Sequence, residues 1–115
     1  MPNEDDVLFH PEAADDYANS YAWYFGKVRH VAEAFEREIK RSLRLITTYP
    51  MRWPVYRGQY HRIMVRHFPF SLVYGSFEGC LVVVAVAHGS RRPDYWRDRK
   101  LSDAIRRSPL RLRTG

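Results

Sequence analysis

Residues 80–87 read Cys80-Leu81-Val82-Val83-Val84-Ala85-Val86-Ala87 (CLVVVAVA), and their reading decides the fold. The run is apolar at nearly every position, the mark of a strand covered on both faces and so placed in the interior of a sheet. It is far too short to cross a bilayer. Just upstream, Glu78-Gly79 fits a two-residue hairpin turn, because Gly accepts the positive φ that such turns require. Phe70 to Phe77, rich in β-formers, is then the hairpin's first strand, and Pro69 separates it from a strand over Arg62 to Phe68. Between Tyr49 and Tyr60, Pro50, Pro54 and Gly58 predict a loop, with Trp53 anchored against the core.

The N-terminal half follows another period. Val7-Leu8-Phe9 reads as a short strand, and Pro11 suits a helix start, with Glu12, Asp15 and Asp16 favoured by the helix dipole. Ala14, Tyr17, Ala18 and Tyr21 share one helical face, and Gly26 marks a break. From Val28 the apolar positions Val31, Ala32, Phe35, Ile39, Leu43 and Ile46 predict a second, longer helix ending before Pro50. The expected fold is α+β: a first strand and a helical hairpin on a small, mostly antiparallel sheet, in the order β-α-α-β-β-β. Pro93 and Asp94 predict a short C-terminal helix. One domain is expected over residues 1–100, followed by a basic tail over 101–115, of which residues 106–115 are expected to fray.

Charge is divided unevenly along the 115 residues. Residues 1–50 hold nine acids and six bases, whereas residues 51–115 hold four acids and thirteen bases, twelve of them Arg. Arg presents a planar fork matched to carboxylate and phosphate, so the second half suits an anionic partner. A basic surface serves nucleic acid and an acidic protein equally. The lone Cys80 excludes an intramolecular disulfide, points to a reducing compartment and reads as a buried thiol. MPNEDDVLFH is acidic and lacks an apolar core, so no signal peptide, no membrane association and a cytoplasmic location are expected. There is no glycine-rich phosphate loop and no G-x-S-x-G elbow, and the five His show no metal-site spacing, so neither metal nor cofactor is expected.

The segment His88 to Arg99 carries the strongest local signal. It leaves the end of the interior strand, where Arg62 and Arg66, at period two on the neighbouring strand, are expected to share a face with it. Arg62, Arg66, Arg91, Arg92 and Arg97 with Tyr95 and Trp96 then form a concave basic surface. Forked cations and flat rings suit single-stranded RNA, and equally an acidic, amphipathic protein segment. Against this stands the plainer reading that Trp96 pins the segment to the core while the arginines are merely solvated. His88 likewise has two readings, a structural histidine at the core edge or an acid–base group.

The element order, together with FHPEAADDYANSYAWY, FPFSLVYGSFEGCLVVVAVAH and RRPDYWRDR, resembles the RelE/ParE toxins of type II toxin–antitoxin systems, over roughly residues 5–100. The resemblance implies a growth-inhibiting, plasmid-stabilising toxin with a cognate antitoxin as partner. RelE-like members are ribosome-dependent endonucleases acting on mRNA, and ParE-like members poison DNA gyrase. Of the nuclease pattern, Arg62 and Arg66 fit the basic strand and Arg91 fits the Arg after the last strand. Ser71 stands where the second-strand Arg is expected, and the C-terminal Tyr position falls nearer Arg97, two residues from Tyr95. The resemblance therefore leans to the ParE-like branch, with gyrase as target. The RelE-like alternative would use Arg91, His88 and Tyr95 catalytically, and a third alternative is an inactive antitoxin-binding module.

Overall fold

A computed structural model describes residues 7–104. Its elements are β1 (Leu8–Phe9), α1 (Pro11–Lys27), α2 (Arg29–Thr48), β2 (Val55–Arg57), β3 (Tyr60–Met64), β4 (Phe70–Phe77), β5 (Cys80–His88) and a 3₁₀ turn at Leu101–Asp103. The sheet order is β1-β5-β4-β3-β2, with β1 parallel to β5 and every other pair antiparallel. The α+β architecture is therefore the expected one, and the valine-rich strand lies inside the sheet. Glu78 and Gly79 both take positive φ, 50° and 80°, as the tight hairpin demands.

One face of the sheet receives the helical hairpin. Phe35, Ile39, Leu43 and Ile46 of α2 are fully buried against Leu72, Tyr74, Val83 and Val86. In α1 the buried positions are Ala13 and Tyr17, so the helix is turned from the expected Ala14–Ala18 face and Ala18 is exposed. The other face is covered by the chain beyond β5. Trp96 (3% exposed) and Leu101 pack on Val73, Val82, Val84 and Ala85, with Tyr56 and Tyr60 beside them. Tyr60 meets the Trp96 ring edge-on at 4.9 Å. Gly75 makes room for it, since a Cβ there would lie 3.2 Å from the Tyr60 ring.

Four local differences from the sequence expectation have physical causes. The loop after α2 contains strand β2, which tolerates the preceding Pro54 because it is the outermost strand and needs donors on one side only. Strand β3 stops at Met64, because the chain turns through a left-handed His67 (φ 69°) before Pro69. The segment from Pro93 forms successive turns instead of a helix, since Asp94 (φ 65°) is left-handed, and a helical turn follows at Leu101–Asp103. Cys80 opens β5 at the hairpin and is half-buried. Residues 105–115, which hold the whole stretch expected to fray, lie outside the described residues.

Strand β5 also carries a bulge. Val73 pairs with Ala85 and Tyr74 with Val83, leaving Val84 as the extra residue. Alternation shifts there: Val82, Val84 and Ala85 face the C-terminal segment, whereas Val83 and Val86 face the helices. His88 thus follows Val86 but not Val82 and Val84, and its ring stands edge-on to Phe70 at 5.0 Å.

Two stability predictions follow from this packing. Trp96→Ala removes the largest side chain on the second face, and urea unfolding should show a loss of about 3–5 kcal/mol. His10, buried at the N-cap of α1, accepts a hydrogen bond from the Glu12 amide at Nδ1. Burial, then the Arg99 charge, hold its pKa below the usual 6.5. The unfolded chain therefore binds this proton at higher pH than the folded chain does. Stability should be full above pH 6.5 and fall as pH drops from there towards the lowered folded value. His10→Asn, a cap that does not titrate, should flatten this acid limb in urea unfolding measured across pH.

Candidate functional site

β1 ends at Phe9, and its ladder with β5 closes with the His10 amide donating to Val83 O. Past that point no strand among the described residues lies beside the edge of β5, and buried backbone groups left unpaired are costly. Side chains take over. Arg99 Nη1 donates to Val84 O at 2.8 Å, and the Val86 amide donates to Asp16 Oδ2 at 3.1 Å. Arg99 and Asp16 also form a forked ion pair, at 2.8 and 3.3 Å, and the Tyr95 hydroxyl donates to Asp16 Oδ2 at 2.9 Å. The charged side chains are 9% and 10% exposed. Burial, and then Asp16, push the Tyr95 phenol well above its ordinary pKa.

This clasp fixes one wall of a groove of about 400 Å³ on the sheet face away from the helices. Arg62 of β3 enters from the other wall, its guanidinium 3.9 Å from the centre of the Tyr56 ring. Arg91 lies 3.8 Å over the Tyr95 ring. Ser71, Ala87, His88, Gly89, Arg92 and Asp94 are also part of the lining. Arg57 pairs with Asp94 at 2.9 Å, which steadies the left-handed turn. Among the described residues, no carboxylate lies within ion-pair distance of Arg62, Arg91 or Arg92. Their charges remain available to an anionic ligand, and each of the first two rests on a ring that limits its motion.

The structure thus brings Arg62, His88, Arg91, Arg92, Tyr95 and Trp96 to one groove. Arg66 is not among them. The chain turns after Met64, so Arg66 leaves the face of Arg62 and makes a two-armed pair with Glu38 of α2, at 3.2 and 3.1 Å. That bond, foremost, lowers the Glu38 pKa. Arg97 lines a separate shallow depression, which shares Arg92, Asp94 and Tyr95 with the groove. Trp96 serves as core beneath the groove.

Proton chemistry is constrained here. His88 Nδ1 accepts from the Ser90 amide at 3.0 Å and lies 2.8 Å from Ser90 Oγ. That contact places the neutral ring's proton on Nε2 and occupies the lone pair a general base would use. The Tyr95 hydroxyl is engaged by Asp16, and Arg does not act as a base at ordinary pH. Among the described residues, no group of three or more His, Cys, Asp or Glu side chains is placed to hold a metal ion. No described helix is long and apolar enough to cross a membrane.

A family model described as the ParE toxin of type II toxin-antitoxin system, parDE, matches residues 7–93, well over half of the chain. The chain belongs to the ParE toxin family. Among curated proteins no match is found. Membership makes it a toxin of the type II class and implies a cognate antitoxin as its partner. The matched region of this ParE-family toxin contains Arg62, Ser71, Arg91 and Arg92, and it stops two residues short of Tyr95.

Sequence reading missed Asp16 and Arg99. Asp16 falls three residues after buried Ala13 and next to buried Tyr17, so a charge in phase with the packed face was the available signal. Arg99 gave none, being 83 residues from its partner. Arg99→Met leaves Asp16 buried without its cation, and denaturant unfolding should register a loss of about 3–5 kcal/mol. The double variant Asp16→Leu/Arg99→Met should lose less than Arg99→Met alone, because no orphaned charge remains.

Proposed function

We propose that this ParE-family toxin arrests growth in the cytoplasm by binding DNA gyrase, and that its cognate antitoxin neutralises it by laying an acidic segment into the arginine-edged groove. One observation carries this: the groove offers guanidinium groups of Arg62 and Arg91 free of carboxylates, while its proton acceptors are already engaged. Such a site is suited to holding charge and poorly equipped to move a proton. Binding therefore fits better than RNA cleavage, which needs a base for the 2′-hydroxyl and an acid for the leaving group. Ser71, where the nuclease pattern has an Arg, removes a further charge that cleavage would use. Ring-backed guanidinium groups already in position lose little freedom on binding, so an acidic segment that orders on them meets a prepared surface.

Purified toxin should inhibit gyrase supercoiling, and the co-purified antitoxin should relieve the inhibition. Full supercoiling at excess toxin, combined with codon-linked mRNA cuts on translating ribosomes, would transfer the assignment to the nuclease alternative. Charge reversal at Arg62 and Arg91 together should weaken antitoxin binding at least about tenfold and flatten its salt dependence, read by calorimetry at several ionic strengths.

A further inference from the structure

Beyond the groove, the tip of the helical hairpin has an unusual surface. Every residue from Phe25 to His30 is exposed, and a Cβ added at Gly26 would meet open space. Among the described residues the tip therefore projects as a convex knob. Its exposed side chains are large and apolar: Trp23 is 61% exposed, Phe25 45% and Val28 44%. Cations lie against these rings, Lys27 Nζ 5.4 Å from the centre of Trp23 and the Arg29 guanidinium 5.5 Å from that of Phe25. No Asp or Glu occurs from Trp23 to Ala32, and Glu33 pairs with Arg29 at 3.8 Å. Beside Trp23 opens a notch of about 250 Å³, walled by Asn19, Ser20, Tyr24, Phe70 and His88.

Apolar rings held in water gain free energy when a partner covers them. A Trp flanked by cations and bordered by a notch has the composition of an interface centre, where few residues carry most of the affinity. Shape and charge narrow the occupant. A concave basic groove accepts a flexible acidic chain, whereas a rigid convex knob needs a cavity already formed on a folded protein. Local charge at the knob is positive, which selects a rim of carboxylates.

We propose that the hairpin tip is a second docking surface, adjoining the groove at Phe70 and His88 but independent of its arginines, for a folded protein presenting an apolar cleft rimmed by carboxylates. Trp23 and Phe25 enter the cleft, Lys27 and Arg29 meet its rim, and a partner side chain fills the notch. The inference rests on the toxin function proposed above, in which this partner is the target and not the antitoxin.

The test uses the full chain and two paired variants, Trp23→Ala/Phe25→Ala and Lys27→Glu/Arg29→Glu. Thermal unfolding confirms that both fold, as substitutions at exposed positions should allow. Each pair should raise the toxin concentration that half-inhibits gyrase supercoiling by about tenfold or more. Variants within about twofold of a wild-type toxin that does inhibit overturn the inference and leave the toxin function standing. Should wild-type toxin arrest growth without touching gyrase, the same variants are scored on growth arrest, where unchanged arrest overturns the inference and lost arrest upholds it with another target. Wild-type toxin with neither effect sinks the function, and the inference falls with it.

Discussion

Asp16, Tyr95 and Arg99 complete the sheet where β1 runs out. An open strand edge presents rows of unpaired donors and acceptors, and here one carboxylate and one guanidinium satisfy β5 at Val84 and Val86, with the Tyr95 phenol bonded to the same carboxylate. A buried ion pair repays its desolvation only when its remaining hydrogen-bonding sites are filled. This one meets that condition, because Asp16 Oδ2 alone accepts from Arg99, Tyr95 and Val86. The contact ties α1, β5 and the C-terminal segment into one unit, so the helices on one face and Trp96 on the other hold their places together.

The groove inherits its rigidity from that tie. Tyr95 is held by Asp16 and supports Arg91, while Tyr56, packed near Trp96, supports Arg62. Rings that also anchor core thus set the positions of Arg62 and Arg91. The same arrangement takes up the groups that acid–base chemistry would have employed. Fixed charge with occupied proton acceptors supports the binding role proposed for the groove, and membership in the ParE toxin family implies an antitoxin as partner.

Much of the fold was readable along the chain because its signals are local. The all-apolar β5, the Glu78-Gly79 turn and the α2 stripe from Phe35 to Ile46 each declare themselves within a few residues. The groove was partly readable, since Arg62 and Arg91 flank identifiable strands. What failed depends on register or on distance. An all-apolar strand gives no hint of a bulge, so the side on which His88 emerges could not be deduced. His67 adopts a left-handed turn without being Gly or Asn, which concealed the departure of Arg66 towards Glu38. Pro54 masked a short edge strand. The ion pair across 83 residues is invisible to any local pattern.

The order in which the fold can close has a consequence for synthesis. A nascent chain that has emerged only as far as residue 93 already holds the whole region matched to the family. It still lacks Tyr95, Trp96, Arg99 and Leu101, so at that stage β5 has one uncovered face and an unsatisfied edge. The stretch that follows residue 93 therefore covers the second face of the sheet, and the wall of the groove is erected after everything it leans on.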